Sequence, residues 1–249
     1  MVFRWLLNFV MVSKALIVMA KRPFAGQTKT RLTPFFSPQE AAALYFCFLQ
    51  DALDQARSVP GVQPYVAYTP VDEETRNYFS KLAPDFGLIP QIGPSLGERL
   101  ETVLASCYRE GFDQVAAMNS DSPSLPTEYL AAAYTFLDDE ATDVVLGPCD
   151  DGGYYLIGWK RPHPRLVREV EMSTSHVLAD TLAIAEKENL RVSLLPVWHD
   201  VDELSDLVRV QRDLELRDSK ASHSWAFLSG RLLELKPGSQ GRVSMPADR

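Results

Sequence analysis

The sequence is poor in the residue spacings on which several large enzyme classes depend. It has three cysteines, Cys47, Cys107 and Cys149, odd in number and far apart, with no C-x-x-C pair. A zinc ribbon or redox dithiol therefore has no support, and free thiols in a reducing cytoplasm are the expectation. The four histidines, His163, His176, His199 and His223, show no H-x-x-x-H or comparable ligand spacing. No G-x-S-x-G occurs, so a nucleophile-elbow hydrolase lacks its signature. Cations are in the minority. The formal net charge is -8, which argues against a general nucleic-acid binder. The apolar stretch Met1 to Val10 is shorter than the ~20 residues of a spanning helix, so stable membrane insertion is not expected. It reads as an extension outside the fold and dispensable to it, with a weak membrane-surface anchor as the minority reading.

Two familiar phosphate loops are also missing. Gly26-Gln27-Thr28-Lys29-Thr30 has no glycine directly before its lysine, and no G-x-G-x-x-G follows the first apolar strand. What stands there instead organises the chain. Ala15 to Ala20 is a buried-type strand that runs straight into a loop carrying Lys21, Arg22, Lys29 and Arg31. Gly26 lets that loop come close to a ligand, and its cations suit phosphate oxygens. Lys29 and Arg31 are expected to contact phosphate rather than a structural carboxylate.

Beyond this loop, helical and strand patterns alternate. Ser37-Pro38-Gln39-Glu40 reads as a helix start, and the helix runs to about Arg57. A strand over Val62 to Tyr68, a helix from Asp72 to Leu82 and a short strand around Leu88 to Ile92 follow. The segment from Gln91 to Leu100 turns into a helix ending near Glu110. Its Gly93, Gly97 and Arg99 suit a base or phosphate, or else a plain loop with a capped helix. Val115 to Met118 is a strand, Thr127 to Leu137 a helix, and Asp143 to Gly147 and Tyr154 to Trp159 are strands. Ser173 or Thr174 is expected to cap a helix that runs to about Lys187. Arg191 to Val197 is the last strand and Glu203 to Leu216 the last amphipathic helix. The alternation predicts an α/β sandwich with a mainly parallel sheet. The chain divides into an extension over 1–13, one domain over 14–218, and a partly flexible tail over 219–249.

Three acidic groups fall at predicted strand ends: Asp121, Asp150 with Asp151, and Asp200 with Asp202. A parallel sheet collects such ends on the edge that holds the cationic loop. Carboxylates facing a polyphosphate imply a divalent cation between them, Mg²⁺ or Mn²⁺. Taken singly, Asp150 and Asp200 read as readily as turn or capping residues.

The segments V-M-A-K-R-P-F-A-G-Q-T-K-T-R-L, Q-I-G-P-S-L-G-E-R-L, N-S-D-S-P-S-L-P, G-P-C-D-D-G-G-Y-Y-L-I-G and H-D-V-D-E-L-S-D-L occur in this order between Ala15 and Leu216. In them the chain resembles a bacterial group of glycosyltransferase-like proteins with a domain of unknown function. That group carries radical-SAM or selenium-domain-associated transferase labels. It is similar to nucleotide-diphospho-sugar transferases of the GT-A fold, and more distantly to guanylyltransferases. The resemblance implies a Rossmann-type three-layer sandwich with a mixed sheet.

By the resemblance, Asp121 matches the metal-binding aspartate of a D-x-D motif, here Asn119-Ser120-Asp121, with a second acid from Asp202 or Asp200. Lys29 and Arg31 would match the cations that hold the nucleotide phosphates; Lys21, Arg22 and Gly26 of the same loop, with Gly97 and Arg99, are expected beside them from the residue pattern. Asp151, Gly152, Gly153 and Thr174 would line the acceptor or sugar side. The implied activity is glycosyl transfer from a nucleoside-diphosphate sugar to a small acceptor. Asp121 and Lys29 would serve the leaving diphosphate, with Asp151 as base. Nucleotidyl transfer from a nucleoside triphosphate is the alternative, and a non-catalytic nucleotide-binding domain the third. Nucleobase, acceptor and oligomeric state stay open.

Overall fold

Strand β1 (Lys14–Lys21) stands in the middle of the sheet because its side chains are apolar on both faces. In the computed structural model, which describes residues 12–216 and 222–229, Leu16, Val18 and Ala20 enter one core and Ala15 and Ile17 the other. A strand buried on both sides reads as a continuous apolar run, as this one does. Around it lie β2 (Gln63–Thr69), β3 (Gly87–Pro90), β4 (Gln114–Met118), β5 (Val144–Pro148), β6 (Tyr154–Trp159) and β7 (Val192–Leu194). The seven-stranded sheet has the order β3-β2-β1-β4-β6-β5-β7, and β6 alone runs antiparallel to its neighbours.

Helices cover both faces. On one, α1 (Pro38–Arg57), α2 (Glu73–Leu82) and α4 (Thr127–Asp138) deliver Leu49, Phe79 and Leu130 to the first core. On the other, α3 (Leu96–Arg109), α5 (Arg165–Arg168) and α6 (Val177–Lys187) deliver Leu104, Leu166 and Ile184 to the second. Each fully buried leucine or valine contributes roughly 1.5 to 3 kcal/mol. A third cluster joins α1 to α7 (Leu204–Leu216) and α8 (His223–Leu228) through Leu44, Phe48, Val210, Leu214 and Leu228. The result is the expected three-layer α/β architecture. No helix among the described residues is long and apolar enough to cross a membrane.

Three local readings differ from the structure. The last strand stops at Leu194 because Pro196, which has no N–H to donate, follows shortly after. Pro162-His163-Pro164, whose prolines read as a surface loop, leads directly into the short helix α5. Ser173 and Thr174 do not cap α6, which begins at Val177 with His176 at its N-cap; Thr174 donates instead to the Glu171 carbonyl. The helix start at Ser37 is as read, a reciprocal capping box with Glu40. The expected extension over 1–10 lies outside the described residues, as does most of the expected tail. Within that tail α8 is ordered on α1, its first amides donating to the Asp51 carboxylate at 2.8 and 2.9 Å.

Candidate active site

The order of the sheet decides where a ligand fits. From β1 the chain moves to β2 and β3 on one side, and β4 lies on the other, so the sheet reverses direction between β1 and β4. Ligands of open α/β sheets settle at such a reversal, beyond the carboxyl ends of the strands. Here the β1 end carries the cationic loop and the β4 end carries Asp121.

The loop turns at Gly26 (φ +75°) and again at Lys29 (φ 49°) before a single 3-10 turn, Thr30–Leu32. A left-handed backbone costs a non-glycine residue about 1 to 2 kcal/mol, and the Lys29 side chain offsets that cost. Its Nζ lies 2.6 Å from Asp121 Oδ1 and 3.3 Å from Asp202 Oδ1, and donates to the Val201 carbonyl at 2.5 Å. Its side chain is 8% exposed. Burial works against the ammonium, but the charges of Asp121 and Asp202 outweigh it and raise the pKa, so Lys29 stays charged. The reading of Lys29 as a phosphate ligand, with Asp121 and Asp202 as metal ligands, meets a different arrangement. The ammonium stands between these two carboxylates and neutralises them. A buried cation requires such partners, and both lie far from it in sequence.

Hydrogen bonds tie the loops together. Val201 N–H donates to the Asp121 carbonyl at 3.0 Å, drawing the segment after β7 across to the end of β4. The Tyr45 hydroxyl accepts from Lys21 N–H at 3.0 Å and bonds Ser120 Oγ, which donates to the Met19 carbonyl at 3.0 Å. Burial and the nearby Asp121 charge push the Tyr45 hydroxyl up to about 12, so it remains protonated. Gln55, on α1, donates to the carbonyls of Pro123 and Leu125 at 3.0 and 3.1 Å and holds the loop that follows Asp121.

The other acidic residues divide sharply. Asp150 pairs with Arg209 of α7 and has a structural partner. Asp151 and Asp200 face each other with Cys149 beside them, and one ligand atom from each lies within 4.8 Å of the others. Burial, followed by the charges of Asp151, Asp202 and Asp121, pushes the Asp200 carboxyl up to about 7. Burial, followed by the charges of Asp200, Asp151, Asp150 and Asp121, pushes the Cys149 thiol well up. Carboxylates crowded this way, with no protein cation between them, fit a divalent ion, which relieves their repulsion. The oxygen donors of Asp151 and Asp200 suit such an ion better than those of Asp121 and Asp202, which Lys29 already compensates. Behind Asp200, His199 is buried with Nε2 3.0 Å from Asp213, and burial lowers its pKa.

These groups line one cleft of about 550 Å³, with a side pocket of about 250 Å³. Asp121, Asp202, Lys21 and Arg31 line both; Asp151, Gly153, Thr174 and Asp200 line the main cleft. Lys29 lines only the side pocket. Arg31 is bound to Asp202 at 3.0 Å yet 70% exposed, so most of its guanidinium remains open to the cleft. Asp151 takes the Gly153 N–H at 2.8 Å through Oδ1.

Other predicted residues lie elsewhere. Arg22 pairs with Glu74 at 2.6 Å and stacks on Phe24 and Tyr78, outside both spaces. Gly26 shapes the loop without lining either. Gly97 has no room for a side chain because the Val167 carbonyl lies against it, a helix-packing role. Arg99 lines neither space, and the helix start at Ser95 is a capping box with Glu98. Gly152 (φ +91°) lies against the Ser175 carbonyl, and Leu178 N–H donates to its oxygen at 2.9 Å, binding the acidic turn to the start of α6. Tyr45 and Cys149 gave no signal in sequence, one on an apolar helix face and the other without a partner cysteine. Asp200 was visible beside Asp202 in H-D-V-D.

The family model described as "Uncharacterized protein conserved in bacteria (DUF2064)" matches residues 52–174. A solved structure from Desulfovibrio desulfuricans G20, provisionally named a nucleotide-diphospho-sugar transferase, is 30% identical, with a TM-score of 0.82 over 87% of this chain and 94% of its own. Two further structures share the fold. A CMP:2-keto-3-deoxy-manno-octonic acid synthetase complexed with CTP is 14% identical, with a TM-score of 0.54 over 83% of this chain and 100% of its own. Glucosyl-3-phosphoglycerate synthase from Mycobacterium tuberculosis, with Mg²⁺ and uridine-diphosphate, is 13% identical, with a TM-score of 0.50 over 82% of this chain and 79% of its own. No curated protein sequence matches the chain. With its acidic and cationic strand ends gathered on a nucleotide-diphospho-sugar transferase fold, the chain belongs to the bacterial DUF2064 family.

Proposed function

We propose that the protein is a nucleotide-dependent transferase that moves a glycosyl group from a nucleoside-diphosphate sugar to a small acceptor. The observation that carries this reading is the meeting of Lys21 and Arg31 with Asp121, Asp151, Asp200 and Asp202 in one cleft, at the reversal between β1 and β4. Lys21 and Arg31 would bind the diphosphate and stabilise the charge it gains on leaving. Lys29 holds Asp121 and Asp202 in place beneath it. Asp151 and Asp200 would hold a divalent cation, which supplies Lewis-acid neutralisation of the leaving group. The sugar and acceptor would occupy the half of the cleft under Thr174, where Tyr154, Ile157, Met172 and Val177 form an apolar wall.

One observation favours a second reading. The side pocket extends along Lys21, Lys29 and Arg31, with room for a further phosphate. Nucleotidyl transfer from a nucleoside triphosphate to an anionic acceptor would use it, as would the CTP of the synthetase that shares this fold. Product analysis separates the two: glycosyl transfer releases a nucleoside diphosphate, nucleotidyl transfer releases pyrophosphate. The first test is a thermal-shift panel of nucleoside triphosphates and nucleoside-diphosphate sugars, with and without Mn²⁺. No stabilisation by any nucleotide would overturn both readings.

A further inference from the structure

We propose that the cation site is a mixed sulfur–oxygen site, Cys149 with Asp151 and Asp200, that takes a borderline ion such as Zn²⁺ or Co²⁺ ahead of Mg²⁺. The inference rests on the reading of this cleft as cation-assisted and adds a ligand and an ion class to it.

Charge compensation comes first. Asp121 and Asp202 are neutralised by Lys29, Asp202 also by Arg31, and Asp150 by Arg209. Asp151 and Asp200 have no ion-pair partner among the described residues, and their facing oxygens share the cleft with Cys149 Sγ. The thiol is the second observation. Cys149 is only 6% exposed, makes no hydrogen bond through sulfur among the described residues, and stands where the first core meets the cleft, which it lines. A buried polar atom with no partner, set within 4.8 Å of two carboxylate oxygens, occupies a ligand's place.

The backbone holds the three together before any ion arrives. Cys149 N–H donates to the Gly153 carbonyl at 3.0 Å, which fixes the turn that carries Asp151. Asp150 N–H donates to the Trp198 carbonyl at 3.1 Å, and Trp198 N–H to the Pro148 carbonyl at 2.9 Å. Those two bonds pin the approach to Asp200 against the cysteine turn.

Ligand chemistry then sets the ion. Mg²⁺ demands oxygen and gains little from sulfur, whereas Zn²⁺ and Co²⁺ accept a thiolate with carboxylates. When the metal–sulfur bond forms, the thiol proton passes to solvent. Two carboxylates and one thiolate leave coordination positions open to a substrate oxygen.

The intact, reduced protein is stripped of metal and titrated with Co²⁺. A sulfur-to-cobalt charge-transfer band is expected in the near ultraviolet. It should vanish in Cys149→Ser and Cys149→Ala and persist in Cys47→Ser. Zn²⁺ affinity should fall about tenfold or more in both Cys149 variants while Mg²⁺ affinity barely moves. Should neither variant fold, the wild-type band and its loss in Asp200→Asn carry the test. Uptake of Co²⁺ without the band, or a band that survives loss of Cys149, would overturn the sulfur ligand alone. No uptake of Co²⁺, Zn²⁺ or Mg²⁺ would remove the cation from the proposed reaction as well.

Discussion

The Tyr45 hydroxyl lies 2.9 Å from Ser120 Oγ, and this bond adds to the Lys29–Asp121 pair in fastening the cationic loop to the aspartate loop. Through it Lys21 N–H, Tyr45, Ser120 and the Met19 carbonyl form a continuous chain across β1 and β4. Tyr45→Phe keeps the ring and removes the link. The half-buried Lys21 amide then loses its acceptor, at a cost of about 1 kcal/mol. Nucleotide affinity should fall with it, because the two loops lose their common register. A variant that melts earlier but binds nucleotide as tightly as the parent would confine Tyr45 to stability.

Lys29 and Asp121 should behave as a coupled pair. Asp121→Asn leaves a buried ammonium with Asp202 as its main partner, so the single change should destabilise by about 2 to 4 kcal/mol. Lys29→Met leaves Asp121 without its cation and Asp202 with Arg31 alone, and should also destabilise. The double variant should cost clearly less than the two losses together. Denaturant melts of all four proteins measure this, and simple additivity would show that the pair is not coupled.

Arg31 and Arg22 should part company. Arg31→Ala should weaken nucleotide binding by roughly 1.5 to 3 kcal/mol, the scale of a charge-assisted hydrogen bond. Arg22→Ala should leave it unchanged, since that guanidinium is committed to Glu74. Calorimetric titration of both variants with one nucleoside diphosphate gives the comparison, and equal losses would place the anion elsewhere along the loop.

The metal-free protein should be more stable in mild acid than in mild base through Asp200. Its carboxyl is pushed from an ordinary 3.8 up to about 7 in the folded chain. A raised folded pKa gives a contribution that is complete below the unfolded value and lost as pH rises through the folded one. Melting curves in a chelator at about pH 5 and about pH 8 should show the loss, and Asp200→Asn should reduce it. A difference of the same size in the variant would assign the effect to other groups.

Much of the fold was legible because its signals are local. The apolar run of β1 and the Ser37 cap each lie within a few residues of what they determine. The site was legible in part, since the segments leaving β1, β4, β5 and β7 carry their acids or cations in plain view. Pairing was not. Lys29 meets Asp121 and Asp202 only after the sheet has closed, and nothing near Lys29 in sequence announces that it will be buried. Gly97 and Gly152 looked like ligand glycines for the same reason: a missing Cβ serves close packing as well as ligand approach, and only the neighbours tell them apart. The short α5 was hidden by two prolines flanking His163, which read as a loop.

The segment after β7 crosses back over the sheet to reach Asp121, and this sets an order on how the working protein can come into being. A ribosome releases β1, the cationic loop and β4 long before Asp200 and Asp202 exist. Until they emerge, Lys29 has one carboxylate partner in place of two and the cleft lacks two of its acids. A nascent chain halted before Asp200 therefore carries an incomplete cleft, and the full set of charges assembles in a single late step.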